Sequence, residues 1–390
     1  MVEDDERQET IEDVESPAIG LNAVLASSDW TTQTLLNQLT RGNIDLDPVF
    51  QRRDAWQPSR KSQFIESLFL GLPVPQLVLA ERKEKRGTYI IIDGKQRLLT
   101  LMQFSAIQDS AFAPMVLRGL RVLPELNGLN YQTIKERPDL DEHLTSFENQ
   151  PIRTVIIRAW PNENFLYTVF LRLNTGSLPL SPQELRQALH PGPFTSFINE
   201  YSSDNELLKR ILRLSAPDFR MRDTELVIRY LAFRNFLAEY TGNLKPLLDR
   251  VVIYFNSAWN ARSGHLNVQL AEFDNAMSVT AQIFGDTTAF RKWNGERYES
   301  NINRAVFDVM VHVFRLAPVA QAALAQPQVV IDQFKAICEN NARFREAIEG
   351  TTKTIEAIYT RISLWSAALG QALEIQIAMP RMIDNRIHLA

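Results

Sequence analysis

One short segment of the chain concentrates residues that together could bind a charged ligand. It reads IIIDGKQRLLTLMQF, residues 90–104, with Asp93, Gly94, Lys95, Gln96 and Arg97 in its centre. The residues before this centre are apolar enough for a buried strand, and those after it repeat apolar side chains at helical spacing. The segment therefore predicts a strand, a sharp turn and a helix, with an acid, an amide and two cations at the turn.

A turn of this composition can bind an anion. Glycine lets the backbone turn sharply, which exposes the first amide N–H groups of the helix at the positive end of its dipole. Lys95 and Arg97 would add a point charge and a forked guanidinium suited to a triphosphate. Asp93 could hold a magnesium ion or orient a water, because cations bound to phosphates prefer carboxylate oxygens. The segment lacks the G-x-x-x-x-G-K-[ST] pattern of a Walker loop.

The same residues also have a purely structural interpretation. In it, Asp93 caps the helix, Gly94 only makes the turn, and the side chains of Lys95 and Arg97 are solvated. The two interpretations differ in where the Asp93 carboxylate and the Arg97 guanidinium lie, so the tertiary structure can separate them.

Two further segments place polar side chains where they could complete a pocket. Residues 44–56, IDLDPVFQRRDAW, contain Gln51, Arg52, Arg53 and Trp56, and residues 169–188, VFLRLNTGSLPLSPQELRQA, contain Arg172, Asn174 and Glu184. Loop side chains next to rigid elements are free to converge on a site. Ser181 and Glu184 also have the spacing of a capping box at the start of a helix.

Helical and strand patterns alternate over the first 108 residues, and Ser28 is a candidate N-cap for the first helix. Residues 151–160 form a convincing strand, and from about residue 195 nearly every segment has a helical pattern. We predict an α+β fold with three parts. These are an acidic disordered tail over 1–20, a nucleotide-binding domain over 21–192 and an α-helical domain over 193–390.

Five ordered motifs resemble the N-terminal domain of GmrSD-type restriction systems, which is related to the ParB and sulfiredoxin fold. They are the Phe50-Gln51-Arg52 loop with Trp56, ESLFLGLPVP at 66–75, the I-D-G-x-Q-R turn at 92–97, F-x-R-L-N-T-G at 170–176 and PLSPQELRQA at 179–188. The sequence RDTELVIRYLAF at 222–233 resembles the helix that usually follows. The resemblance spans roughly residues 28–240 and predicts a ParB/sulfiredoxin-like domain followed by a mainly helical half.

The resemblance implies nucleotide chemistry at the turn. It implies a nucleoside triphosphate held by the G-x-x-R element with Mg²⁺ on Asp93, hydrolysis that involves Asp93 and Gln96, and regulation of DNA cleavage in phage defence. The nucleotide-binding residues it implies are Gln51, Arg52, Gly94, Lys95, Arg97, Arg172 and Asn174. Lys95 stands where the common form of the turn has glutamine, and a cation there suits phosphate binding.

Composition restricts the class of protein and its compartment. Eight acidic residues between Glu3 and Glu15, against a single Arg7, account for the net charge of −4 and leave the rest of the chain mildly basic. No apolar segment is long enough to span a bilayer, and no signal-peptide pattern precedes the fold, so we expect a cytoplasmic protein without a membrane partner. The single cysteine, Cys338, is expected to be an inert core thiol.

The motifs of known nuclease classes are missing. The histidines lie far apart at His143, His190, His265, His312 and His388, and no E-x-K element follows Pro217-Asp218. A separate nuclease or effector subunit is therefore a candidate partner, and a homo-oligomer is another. The helical half also carries cations that could contact DNA or form ordinary ion pairs with neighbouring acids: Lys209, Arg210, Arg213, Arg220, Arg222 and Arg229.

Three functional hypotheses follow. The first is an NTP-binding protein, an NTPase that acts as the regulatory or sensing component of a restriction-like defence system. The second is a ParB-like nucleotide switch that binds DNA or a partner with little turnover. The third is a nuclease with an unrecognised site. Nucleotide turnover separates the first two, and metal-dependent DNA cleavage by the purified chain would support the third.

Overall fold

The N-terminal unit of the protein, which ends at Leu189, is built on a four-stranded sheet. In the computed structural model the strand order is β1-β4-β2-β3. The pair β2–β4 is parallel, and the pairs β1–β4 and β2–β3 are antiparallel. The strands are β1 (Val24–Thr31), β2 (Leu77–Glu81), β3 (Tyr89–Asp93) and β4 (Pro151–Arg158). The structure describes residues 23–46, 53–106, 112–173, 181–350 and 352–389.

In the described part of this unit, seven α-helices accompany the sheet. They are α1 (Thr32–Thr40), α2 (Pro58–Phe69), α3 (Lys95–Ser105), α4 (Tyr131–Lys135), α5 (Asp141–Asn149), α6 (Glu163–Leu173) and α7 (Pro182–Leu189). The first four residues of β2 and of β3 are buried on both faces, which explains why these strands are continuously apolar in sequence. One core cluster joins β2, β3 and β4 to α6 and α7 through side chains such as Ile92, Phe170 and Leu185.

The start of α1 differs from the prediction. Ser28 was the candidate N-cap, but it lies inside β1 and is paired with Thr154 of β4. Thr31 caps the helix instead, because its hydroxyl accepts a hydrogen bond from the Thr34 amide at 3.2 Å. Pairing of β1 with β4 satisfies more backbone N–H and C=O groups than a helix that began at Ser28 would. The strand pairing therefore overrides the local tendency of Ser28 to cap a helix.

The second unit, from His190 onward, is helical. Its helices are α8 (Pro193–Asp204), α9 (Glu206–Leu212), α10 (Arg222–Phe236), α11 (Leu244–Ser257), α12 (Trp259–Phe284), α13 (Arg304–Phe314), α14 (Ala317–Ala325), α15 (Pro327–Asn340), α16 (Ala342–Glu349) and α17 (Ile355–Ala372). A short hairpin, β5 (Arg381–Ile383) with β6 (Arg386–His388), follows them. The prediction of an α+β protein with a helical C-terminal half is confirmed, while the ParB/sulfiredoxin-like topology stays a prediction.

The interior of the helical unit contains a buried charge cluster. Asp308 of α13 accepts hydrogen bonds from Arg229 of α10 at 2.6 and 2.7 Å and from Arg361 of α17 at 2.7 Å. All three residues are at most 4% exposed. One carboxylate thus links three helices that lie far apart in sequence.

The single cysteine of the chain has the environment that the sequence predicts. Cys338 is buried, and burial raises the pKa of its thiol to about 12, in agreement with an inert core residue.

Within the described ranges, no single helix is long and apolar enough to cross a membrane. Among the described helices, α13 and α14 taken together, with a bend of 102° between them, reach that length and composition. The predicted acidic tail lies outside the described residues.

Candidate functional site

The turn between β3 and α3 has the predicted strand–turn–helix geometry. β3 ends at Asp93, α3 begins at Lys95, and Gly94 between them adopts a left-handed conformation with φ +101°. The Leu98 amide donates to the Gly94 carbonyl at 3.1 Å and closes the first helical turn. Gly94 at the N-cap position has no side chain that could cap this turn. The first turn of α3 therefore lacks an N-cap side chain at the positive end of the helix dipole.

Asp93 does not cap the helix. Its carboxylate accepts a hydrogen bond from the Arg97 guanidinium, with Nη2 and Oδ2 2.9 Å apart. The Asp93 side chain is 28% exposed, so one face of the carboxylate stays accessible. The structural interpretation in which Asp93 acts as the N-cap is therefore wrong.

Arg97 is buried rather than solvated, with 6% of the residue exposed. Besides Asp93, its Nη2 donates to the Gln76 carbonyl at 3.0 Å. Its Nε–H is buried and has no hydrogen-bond partner in the described structure. An unpartnered buried donor on a charged group is costly, and an anion at the turn would satisfy it.

Lys95 is also buried, and it forms an ion pair. Its Nζ lies 2.5 Å from Glu184 Oε1, and both side chains are 5% exposed. The other carboxylate oxygen of Glu184 accepts a hydrogen bond from the Ser181 amide at 2.7 Å, while the Glu184 amide donates to Ser181 Oγ at 3.1 Å. The predicted capping box is confirmed, and it aims the Glu184 carboxylate at the first residue of α3.

Gln96 connects α3 to the loop before α2. Its Oε1 accepts a hydrogen bond from the Ala55 amide at 3.3 Å. About two turns later on the same helix, Gln103 donates to Asp54 Oδ2 at 3.3 Å and accepts from Lys61 Nζ at 2.6 Å. Lys61 also pairs with Asp54. This polar chain places residues 54–55 against the helix that carries Arg97.

The remaining predicted site residues are Gln51, Arg52, Arg172 and Asn174. Gln51, Arg52 and Asn174 lie outside the described residues. Arg172 lies near the end of α6 with an exposed side chain, and it has no hydrogen bond or ion pair to residues 93–97 in the described structure. The roles predicted for these four residues stay predictions.

Four residues that support the site were missed by sequence reasoning. Gln76 supplies a carbonyl to Arg97, and Asp54, Lys61 and Gln103 hold the neighbouring loop. A carbonyl leaves no signal in a sequence. Gln103 does leave one, because a polar side chain among apolar neighbours on the same helix face as Gln96 indicates a buried polar contact.

The carboxylates of the described residues do not form a metal cage by themselves. The described residues contain no group of three or more His, Cys, Asp or Glu side chains that could hold a metal ion. Asp93 provides one partly exposed carboxylate, and Mg²⁺ in nucleotide sites commonly combines one or two carboxylates with phosphate oxygens. The donor set at the turn therefore fits Mg²⁺ only together with a bound phosphate group.

Gly94 is expected to be the least replaceable residue of the turn. A Cβ there would lie 2.3 Å from Leu77 Cδ2 and 3.1 Å from Arg97 Nη2, in a left-handed conformation. Gly94→Ala should therefore cost about 2–3 kcal/mol of unfolding free energy, the sum of backbone strain and overpacking. Gly42→Ala is the matched control, since Gly42 has φ +67° and open space around its Cβ position. Urea denaturation should show a smaller loss of unfolding free energy for Gly42→Ala than for Gly94→Ala. Equal losses in the two variants would contradict the close packing at Gly94.

The cations of the helical unit that could contact DNA mostly form ion pairs or hydrogen bonds with neighbouring groups. Arg213 donates to the Thr287 carbonyl at 2.9 Å, and Arg220 lies 5.7 Å from the Phe219 ring centre. The ion pairs are Lys209–Glu206, Arg210–Asp286, Arg222–Asp218 and the buried Arg229–Asp308. These cations therefore follow the alternative of ordinary ion pairs with neighbouring acids. Their contact with DNA stays a prediction.

Taken together, the N-terminal unit has a strand–turn–helix element that carries a buried arginine. Residues 32–191 match the family model of the GmrSD restriction endonuclease, N-terminal domain. This part of the chain is a domain of that family, which confirms the resemblance seen in the motifs. Neither the curated proteins nor the solved structures contain a match to the chain.

Proposed function

We propose that the N-terminal unit binds a nucleoside triphosphate at the turn between β3 and α3 and hydrolyses it, as the regulatory component of a restriction-like phage-defence system. The observation that carries this proposal is the buried Arg97 guanidinium, whose Nε–H has no partner in the described structure and lies in the first turn of α3. The match to the GmrSD N-terminal domain supports a restriction-related role. The partners proposed are a separate nuclease or effector subunit, DNA and a second copy of the chain.

The residues of the turn take distinct roles in this proposal. The α3 amides and Arg97 hold phosphate oxygens, since a guanidinium and oriented N–H groups both favour a multiply charged oxyanion. Mg²⁺, when bound with the nucleotide, would supply charge neutralisation on the phosphates. Asp93 orients the attacking water through its accessible carboxylate oxygen. Gln51, Arg52, Arg172 and Asn174 are proposed to complete the pocket.

A second function, a nucleotide switch with little turnover, is favoured by one specific observation. Lys95 is held by Glu184 and Gln96 by the Ala55 amide, so two polar side chains of the turn have protein partners. In this version the triphosphate binds at the same place but is hydrolysed slowly. Binding is common to both functions, and the rate of phosphate release distinguishes them.

Arg97 provides the test of nucleotide binding. A saturating non-hydrolysable analogue of ATP or GTP should stabilise the wild-type protein by about 2.7 kcal/mol at a hundredfold excess over Kd. Arg97→Ala should lose this stabilisation. Arg97→Lys should weaken binding about tenfold, because an ammonium keeps the charge but not the forked geometry. Thermal unfolding with and without nucleotide measures each effect.

Stability with and without nucleotide is compared within each variant. This is needed because Arg97→Ala also removes the hydrogen bonds to Asp93 and to the Gln76 carbonyl and so lowers the stability of the ligand-free protein. Arg137→Ala is the matched control, since Arg137 forms an exposed pair with Asp139 in the same unit. It should keep the full nucleotide shift. A full shift in Arg97→Ala would exclude the turn as the phosphate site.

A further inference from the structure

The two edges of the four-stranded sheet differ in how they are covered. β3 forms one edge, and its residues 89–92 are at most 7% exposed. Residues 43–45 run beside this edge, where the Tyr89 amide donates to the Asn43 carbonyl at 2.7 Å. β1 forms the other edge, and in the described structure no strand pairs with its outer side. One edge of the sheet is therefore protected, whereas the other is open.

The open edge is exposed to solvent along most of its length. Val24, Leu25 and residues 27–28 are all exposed. Leu25 is 67% exposed, more than any other large apolar residue of the described structure, and Val24 is 55% exposed. Near the end of the strand, the Trp30 ring packs edge-on against Tyr89 with the ring centres 5.5 Å apart. The first part of β1 therefore combines two exposed apolar side chains with the outward N–H and C=O groups of an edge strand.

β1 lacks the features with which proteins usually protect an open edge. Such an edge strand is commonly very short, or it carries a lysine, a proline or a bulge. β1 has eight residues, VLASSDWT, with neither lysine nor proline, and its register with β4 runs without a shift. The protected edge strand β3 has five residues. The outer side of β1 is therefore suited to pair with a further strand.

Charge restricts which strand can pair with β1. Its single charged residue, Asp29, forms an ion pair with Arg153 of β4, with Oδ1 and Nε 2.8 Å apart. β1 has no cation of its own, so it does not complement the acidic segment 3–15 or a nucleic-acid backbone. An identical strand brings an aspartate that its own arginine already neutralises, and it adds a second Val24 and Leu25. A second copy of β1 therefore fits this edge better than an acidic partner.

We propose that the β1 strands of two copies of the chain pair with each other in antiparallel orientation and join the two sheets into one. A two-fold axis brings the same surface of both chains into contact, and an antiparallel pair of identical strands satisfies that symmetry. This inference rests on the proposed function only in naming a second copy as a partner. It holds whether or not the turn at Asp93 binds nucleotide. A pair of short strands makes a small interface, so we expect a reversible dimer.

Sedimentation velocity over a range of protein concentrations, without nucleotide, tests this interface. The wild type should form a dimer that dissociates on dilution. Leu25→Lys should weaken the dimer about tenfold or more, because it removes an apolar contact from each strand and brings two lysines to the joined edges. Val268→Lys is the matched control, since Val268 is an apolar residue of α12 that is 59% exposed. It should dimerise as the wild type does.

Hydrogen exchange of the β1 amides locates the contact. In the dimer, the outward N–H groups of residues 24–28 should exchange about tenfold or more slowly than in the dilute monomer, because the partner strand bonds them. This measurement uses the wild-type chain, so it tests the interface even if Leu25→Lys does not fold. Protection that is already complete at low concentration would assign the edge to a segment of the same chain and overturn the proposal. A wild type that stays monomeric, or a dimer that Leu25→Lys and Val268→Lys weaken equally, would also overturn it.

Discussion

Asp93→Asn is expected to slow nucleoside triphosphate hydrolysis by about 10²-fold or more while leaving nucleotide affinity within a few-fold of the wild type. An asparagine oxygen can still accept the hydrogen bond from Arg97 Nη2, so the geometry of the turn is kept. What is lost is the negative charge of the carboxylate, which in the proposed mechanism orients a water. Phosphate release by the purified chain, with affinity measured separately on a non-hydrolysable analogue, checks both parts.

The control for this substitution is Asp29→Asn. Asp29 lies on β1 in the same unit and forms an exposed pair with Arg153 at 2.8 Å. Its replacement should leave the hydrolysis rate unchanged. Equal rates in the wild type and in Asp93→Asn would remove Asp93 from the mechanism. A wild type that binds nucleotide without measurable turnover would instead select the switch over the NTPase.

Asp308→Ala is expected to destabilise the helical unit by about 3–5 kcal/mol, because it leaves two buried guanidinium groups, Arg229 and Arg361, without their shared counter-charge. Removing one member of a buried ion cluster costs far more than breaking a surface pair, since neither remaining charge can be solvated. Urea denaturation followed by circular dichroism measures the loss.

Glu239→Ala is the matched comparison, because it breaks an exposed pair in which Arg250 Nε lies 3.4 Å from the carboxylate. Its cost should stay below about 1 kcal/mol. Joint replacement of Asp308, Arg229 and Arg361 by apolar residues should recover much of the loss, as expected when the penalty is uncompensated charge rather than lost packing. A loss for Asp308→Ala no greater than that for Glu239→Ala would show that the cluster does not hold the three helices together.

Much of the candidate site could be predicted because its signals are local. A strand, a glycine and a helix in direct succession define the turn at Gly94, and the capping box needs only Ser181 and Glu184 three residues apart. The helical periodicity after residue 195 likewise reports a repeating apolar face. Short segments carry these patterns whatever the rest of the chain does.

Other features depend on segments that meet only in the fold. Lys95 reaches a glutamate 89 residues away, and Arg97 bonds a carbonyl 21 residues earlier in the chain. Because β1 pairs with β4, the N-cap of α1 is Thr31 and not the predicted Ser28. No spacing rule indicates such partners, because burial and backbone satisfaction across the whole unit select them.

The sequence by itself therefore determined the α+β class, the helical second half, the turn at Asp93 and the family of the N-terminal domain. Only the tertiary structure decided that Asp93 pairs with Arg97 rather than capping the helix, that Lys95 faces Glu184, and that two arginines of the helical unit share Asp308. The reason is physical: side-chain type and periodicity are properties of a segment, whereas the partner of a buried charge is chosen by the desolvation that the complete fold imposes.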